Sequence, residues 1–388
     1  MRSHRKTAQL APRSPTRSNT HVASLPLDLQ QLILNQFQQS FPFSSSTDLQ
    51  TTIQTVKGHL YDRNFDLAFS QPAYREAYAL RWSASRALAY AHIFNHLSTF
   101  LKWEEPQLTD GRTGERDHSS RYTVVCIGGG AGAEIIALAA LLHANHHTIS
   151  AIKATTIDVA DWSNILLRLH AVVTQPPALS KYASVTARAA SRPFGPPDRW
   201  QSNFLHNDVL DLPQDELEQL LAPARLCTIM FTLNELFASS VAKTTALLLK
   251  ITQLMAEGSH LLIVDSPGSY SEVKLGQQGN AKQYPMKWLL DHALLQGPGS
   301  EKWIKVISDD SRWFRLSSDL KYPLDLENMR YQIHLYLSPG EGDMCHNLNL
   351  ALASLRDCHI VPKITSPALN LDPVVQELLE SRRVEDLI

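Results

Sequence analysis

The chain has few cysteines, no long apolar run and almost no net charge, and each shortage removes a class of function. Its 388 residues hold four cysteines, Cys126, Cys227, Cys345 and Cys358, with no CxxC spacing. That argues against a zinc module. Cys126 and Cys227 lie in apolar, strand-like runs and read as buried thiols, which favours a reducing compartment. No apolar stretch approaches the roughly 18 residues of a membrane span, so no membrane partner is expected. A net charge of −2 speaks against a broad, non-specific RNA binder. With 44% hydrophobic and 19% charged residues, the composition is that of an ordinary globular enzyme. Histidine is not scarce, but the cluster "HANHH" at 143–147 falls where a helix should end. It reads as a solvated helix terminus, and no metal site is expected.

The charge that is present is unevenly spread. Residues 1–23 form a basic arm with Arg2, Arg5, Lys6, Arg13 and Arg17 and no acid. Such an arm is expected to be disordered. It fits an RNA-phosphate contact, a nuclear address or an organellar presequence equally well. Residues 24–108 read as helical. "LPLDLQQLILNQF" sets Leu29, Leu32, Ile33 and Phe37 on one face, and Pro72 opens a long amphipathic helix running to Leu101. A polar linker, "TDGRTGERDHSS", follows at 109–120.

From Arg121 to about 340 strands and helices alternate. Strands are expected at "YTVVCIG", "IKATTIDVA", "SNFLHNDV", "LCTIMFTL" and "HLLIVDSPGS", with helices over 133–145, 161–173, 214–222, 234–257 and about 284–295. That rhythm predicts an α/β fold, a Rossmann-like and mostly parallel seven-stranded sheet covered on both faces. Two last strand-like runs, "KWIKVIS" to "WFRL" and "MRYQIHLYLS", have no obvious helix between them and predict an antiparallel edge strand. A Pro/Arg-rich insert at 174–201 carries Lys181, Arg188, Arg192 and Arg199 against the single acid Asp198. Residues 341–388 read as a docking segment.

The passage "YTVVCIGGGAGAEIIALAALL" (122–142) drives a strand into four glycines and out into a helix. Glycine there leaves room for the backbone to approach a ligand, with a helix N-terminus behind it. Read as G-x-G-x-x-A, the loop fits a dinucleotide fingerprint. Read as G-x-G-x-G, with Gly128, Gly130 and Gly132, it fits a site for S-adenosylmethionine (SAM). A dinucleotide site wants its ribose acid about 20 residues on, whereas Asp158 lies 26 residues after Gly132. Glu134 at the helix start should repel a pyrophosphate, and SAM has none. The arrangement favours SAM. Asp158, closing the second strand, then takes both ribose hydroxyls, and Asn207-Asp208 after the third strand accepts from the adenine amino group. The fourth strand ends in "FTLNELF", which puts Asn234 and Glu235 at the reaction centre, although Asn234 is equally suited to capping the next helix.

The motifs "VVCIGGGAGAE", "IDVADWS", "FTLNELF", "VDSPGSYSEV", "RWFR" and "LENMRYQIHLY", in this order, resemble the fungal 25S (large-subunit) ribosomal RNA uridine-N3 methyltransferase family. The resemblance includes "LPLDLQQLILNQF" and "RWSASRALAY" and covers residues from about 24 to 338. Two positions depart from the pattern: Ala84 stands where proline is expected, and Cys126 where many class I enzymes place an acid. What the resemblance implies is methyl transfer from SAM to N3 of a uridine, with large-subunit rRNA or a pre-ribosomal particle as partner. A nuclear, nucleolar or cytoplasmic location follows.

The chemistry such a reaction needs can be stated from the residues. N3 of uracil faces the Watson–Crick edge, so the base must be unpaired or flipped out. Glu235 is placed to accept the N3 proton and Asn234 to fix a uracil carbonyl. Phe231, Tyr270, Trp313 and Phe314 are candidates to stack the base, and Arg192, Arg199, Arg312 and Arg315 to meet RNA phosphates. Three alternatives stay open at this level: a methyltransferase for protein or a small molecule, a non-catalytic SAM-fold assembly factor, and a flavin or NAD oxidoreductase.

Overall fold

The computed structural model describes residues 25–42, 47–103, 121–176, 191–268, 270–273, 282–296 and 300–340, together with 182, 184 and 185. The basic arm, the linker, the docking segment, Lys181 and Arg188 lie outside the described residues. The strands of the main sheet are β1 (Tyr122–Ile127), β2 (Ile152–Asp158), β3 (Trp200–His206), β4 (Leu226–Met230), β5 (His260–Asp265), β8 (Ile304–Phe314) and β9 (Met329–Leu337). A small hairpin pairs β6 (Tyr270–Val273) with β7 (Lys282–Pro285). The seven strands lie in the order β3-β2-β1-β4-β5-β9-β8. β1 to β5 are parallel neighbours. The expected antiparallel edge is present: β9 inserts between β5 and β8 and runs against both.

Strand alternation divides the core into two. Val124 and Cys126 of β1 face one buried cluster, Val125 and Ile127 the other, as a period of two requires. One face is covered by α9 (Gln214–Leu221), α10 (Leu233–Ser239), α11 (Val241–Leu254) and α12 (Met286–Leu295). The single helix expected over 234–257 is therefore two. Ser240 breaks it by adopting an extended backbone and accepting the Lys243 N–H on its Oγ.

The other face carries α7 (Ala133–Ala144) and α8 (Ser163–Val173), and outside them the N-terminal helices. These are α1 (Leu27–Ser40), α2 (Thr47–Tyr61), α3 (Phe65–Ala68), α4 (Pro72–Tyr78), α5 (Ala84–His96) and α6 (Ser98–Leu101). α7 has no polar face, and every residue from Ala133 to Leu142 is buried. A helix apolar all round must be covered all round, and α5 packs on the side that the sheet leaves open. The long helix expected from Pro72 runs as α4 and α5 joined by a π-helical turn at Ala79–Ser83.

The segment before β9 ties this outer layer down. Gln31 and Lys321 exchange two hydrogen bonds of 2.9 Å, Tyr322 donates to the Leu80 carbonyl, and the Glu327 N–H donates to Ser85.

Candidate active site

A cavity of about 1000 Å³ opens at the carboxyl ends of β1, β2, β4 and β5, under the N-terminal helices. That is where an open parallel sheet holds ligands. The glycine loop forms its floor. Gly128 and Gly132 have φ of 77° and 84°, a region that strains other residues. Added Cβ atoms would fall 2.1 Å from Thr232 Oγ1 at Gly128, 2.1 Å from the Trp162 ring at Gly130 and 2.3 Å from Leu169 at Gly132. The glycines thus let the loop lie flat on the protein's own side chains, which adds a reason to the ligand approach expected from the sequence.

Asp158 reaches the loop from the end of β2. Its Oδ2 accepts the Gly130 N–H at 3.1 Å and its Oδ1 the Ala160 N–H at 3.0 Å. Burial pushes this carboxyl above the usual range, while those two donors act the other way. Asp158 lines the cavity, and a carboxylate oxygen that accepts one N–H can accept a second donor, as two ribose hydroxyls would require. Asn207 and Asp208 also line the cavity. The Asn207 N–H donates to the Asp158 carbonyl and Asp208 Oδ1 accepts the Leu210 N–H, so both sit in a turn that fixes them beside Asp158.

Glu134 corrects one step of the sequence argument. It does not project a charge from the helix start. It is 2% exposed, lies beneath Gly129 and accepts from the Thr228 hydroxyl. Burial pushes its carboxyl up to about 8, so it is largely neutral at pH 7 and would repel no pyrophosphate. The raised value has a sign for stability. Glu134 contributes stability that is complete below its ordinary value near 4.5 and lost as pH rises through about 8. Between pH 6.5 and 7.5 the unfolding free energy should fall by about 1 kcal/mol more in the natural protein than in Glu134→Gln. Urea unfolding at both pH values checks this, and equal slopes would mean that Glu134 ionises normally.

At the end of β4 the chain turns sharply. Phe231 has φ of 56°, a strained value for an aromatic residue, and its N–H donates to the Val264 carbonyl at 2.7 Å. The turn brings Asn234 and Glu235 to the cavity wall. Asn234 caps nothing with its side chain: its Oδ1 is buried and accepts no hydrogen bond. Both carboxylate oxygens of Glu235 accept from Arg63 Nη2, at 2.9 and 2.8 Å, so an ion pair bridges the mouth. Behind them Asp265, closing β5, accepts the Asn234 and Ser266 N–H groups. Burial pushes Asp265 up to about 6 against those two donors.

The roof comes from residues that sequence reasoning passed over: Arg63, Tyr78, Trp82, Arg86 and Tyr90. The last four stand four apart. An α-helix has about 3.6 residues per turn, so such a row drifts by about 40° per step. The wider π-helical turn at Ala79–Ser83 takes up drift and keeps the row over the cavity. The spacing in "AYALRWSASRALAY" was the available signal. Asp265 had one too, since it closes a strand at the cofactor edge.

The four arginines expected to meet RNA do not form one track. Arg199 precedes β3, at the opposite edge of the sheet, and donates to the Ile149 and Ser150 carbonyls. Arg192 is exposed near His143 at the end of α7, on that same far edge. Both are about 20 Å of strand length from the cavity. Arg312 is engaged by Asp309 at 2.8 Å and by His96 at 3.1 Å. Arg315 is exposed and stacks on Trp313 at 4.3 Å, with Arg330 at 5.8 Å from the same ring. Of the expected stacking aromatics, Phe231 lines the cavity, Trp313 is half exposed and Phe314 is buried against His92. The Tyr270 side chain lies outside the described residues. No group of three or more His, Cys, Asp or Glu suited to a metal occurs among the described residues. No helix there is long and apolar enough to cross a membrane.

The family model described as "Putative SAM-dependent methyltransferase" matches residues 37–337. The chain belongs to this family. It is an enzyme, a methyltransferase that uses SAM, and the oxidoreductase and non-catalytic alternatives fall away. A relative named "25S rRNA (uridine(2843)-N(3))-methyltransferase", from Saccharomyces cerevisiae (strain ATCC 204508 / S288c), is 32% identical over 316 residues. These are 76% of this chain and 79% of that protein. Among solved structures, a SAM-dependent methyltransferase from Methanosarcina mazei matches over 57% of this chain and 94% of its own, with 11% identity and a TM-score of 0.33. A mutant 16S rRNA (adenine(1408)-N(1))-methyltransferase from Catenulisporales acidiphilia matches over 61% and 98%, with 12% identity and a TM-score of 0.33.

The methyltransferase's cavity fits the cofactor on its own evidence. The flat glycine floor, the Asp158 carboxylate and the turn at Asn207-Asp208 all line this one cavity at the strand ends. Asp158 and Asn207-Asp208 are the residues that would hold the ribose and adenine, and SAM would supply the electrophilic methyl group once bound.

Proposed function

We propose that this methyltransferase methylates N3 of a uridine in large-subunit rRNA, free or within a pre-ribosomal particle. The observation that carries the proposal is the similarity to the yeast relative, whose name states that reaction and whose sequence is matched across most of both chains. The cavity supports it. Asn234 Oδ1 is a buried acceptor with no donor, and an imide N3–H is a donor. Accepted there, N3 faces the end of β4, and the proton passes from this hydrogen bond to a neighbouring carboxylate as the base approaches the methyl group.

The N3–H bond breaks as the N3–methyl bond forms, and a carboxylate takes the proton. Glu235 serves once Arg63 moves aside, and Asp265 lies behind it as a second carboxylate ionised above about pH 6. Asn234→Ala should lower turnover about 100-fold while SAM affinity stays within about threefold. Glu235→Ala should also lower turnover at unchanged SAM affinity. Single-turnover rates with calorimetry check both. Mass mapping of rRNA nucleosides from a deletion strain tests the substrate: a full complement of 3-methyluridine would remove it. The same reading is consistent with work in the nucleus (nucleolus) and/or the cytoplasm, where large-subunit rRNA and its precursors are found.

RNA contact is best supported at the free side of β8. Arg315, Trp313 and Arg330 make an exposed aromatic plane flanked by cations, suited to a base and its phosphates. Arg315→Ala and Arg330→Ala should each reduce the salt dependence of RNA binding by about one unit of slope, and Arg199→Ala should not. Filter-binding titrations between low and moderate salt measure the slopes. Equal slopes for all three would move the RNA track elsewhere.

A further inference from the structure

Arg86 is a cation with no carboxylate in contact, although Asp265 and Glu327 attract it from a distance. It lines the cavity from α5 and donates from Nη1 to the Tyr78 hydroxyl at 2.6 Å. Its guanidinium lies 4.9 Å over the Phe231 ring and 5.8 Å over that of Tyr78. Among the described residues it makes no ion pair, unlike Arg63, Arg81 and Arg168 around it. A buried guanidinium held only by distant carboxylates still lacks the close counter-charge that a ligand carboxylate can supply.

The cofactor makes the problem sharper. Its sulfonium is positive, so a bare Arg86 would oppose its binding. SAM carries one negative group, the α-carboxylate of its methionine end. Asn207-Asp208 and Asp158 mark the adenine and ribose ends of the cavity, which leaves the end of β4 for the methionine end. Phe231 stands there, and Arg86 stands on Phe231.

We propose that Arg86 holds the α-carboxylate of SAM and thereby selects SAM over its decarboxylated form. Charge-assisted, fork-shaped pairing of a guanidinium with a carboxylate supplies the affinity. The proposal rests on the cofactor reading alone and is independent of the uridine substrate.

The test is calorimetry with SAM and with decarboxylated SAM on the full chain, the Arg86→Gln variant and the Arg86→Lys variant, with melting curves to confirm folding. The natural protein should prefer SAM by about 30-fold or more. In Arg86→Gln that preference should collapse to within about threefold, chiefly through weaker SAM binding, and Arg86→Lys should restore part of it. If Arg86→Gln does not fold, the natural protein's preference and the Lys variant carry the test. A natural protein that binds both forms equally overturns the proposal. So does an Arg86→Gln variant that keeps both affinities and loses only turnover on RNA, which would give Arg86 to the substrate. Binding of neither form would overturn the cofactor site itself.

Discussion

Gly130→Val should leave no measurable SAM binding, a loss of about 1000-fold or more, equivalent to about 4 kcal/mol. The first added carbon would lie 2.1 Å from the Trp162 ring and 2.8 Å from Asp158 Cβ. Trp162 cannot retreat, being fully buried against Phe69 and Tyr78 at 4.9 and 5.8 Å between ring centres. The loop must move instead, into the space the cofactor needs, and the Gly130 N–H leaves Asp158. Overpacking should also lower stability by about 1–3 kcal/mol. Gly58, where a Cβ meets nothing within 4 Å, provides the control: Gly58→Ala should bind SAM normally. Calorimetry and melting curves on both variants decide the matter. Undiminished affinity in a folded Gly130→Val protein would separate the loop from the cofactor.

Asp158→Ala should weaken SAM binding by more than about 100-fold, since two hydrogen bonds to an ionised group are worth roughly 1.5–3 kcal/mol each. The structure adds a second cost. Both carboxylate oxygens already accept backbone N–H groups, from Gly130 and Ala160, so alanine leaves two donors unpaired under the loop. Asp158→Asn separates the two effects. It keeps the volume and one acceptor, so it should restore most of the stability but little of the affinity. Melting curves with SAM titrations distinguish the variants, and an affinity loss below about threefold would remove Asp158 from the site.

The strand ends were legible because a parallel sheet leaves little choice: whatever closes β1, β2, β4 and β5 faces one crevice. Gly128, Gly130, Gly132, Asp158, Asn234 and Glu235 could therefore be placed from their position in the alternation. The roof could not, because Arg86 and Tyr90 reach the cavity from a helix whose place over the sheet depends on tertiary packing. Nor could the ionisation of Glu134, which depends on how deeply α7 is covered. That the four arginines do not share one track was hidden for a similar reason. Counting Arg192 and Arg199 with Arg312 and Arg315 ignored that the insert enters β3 from the far edge, where backbone carbonyls already hold Arg199.

The stitching of Gln31, Leu80 and Ser85 to residues 321–327 has a consequence for the order in which the protein can be made. A ribosome releases the N-terminal helices first, yet their covering partners emerge some 240 to 290 residues later. β9, which must insert between β5 and β8, appears only after that. The nascent chain thus carries an apolar α7 and an unfinished sheet until nearly the whole catalytic core has been synthesised. Contacts this distant in sequence close slowly and leave such surfaces exposed meanwhile. Chains cut short before about residue 337 should accordingly accumulate as aggregates rather than as a smaller folded enzyme.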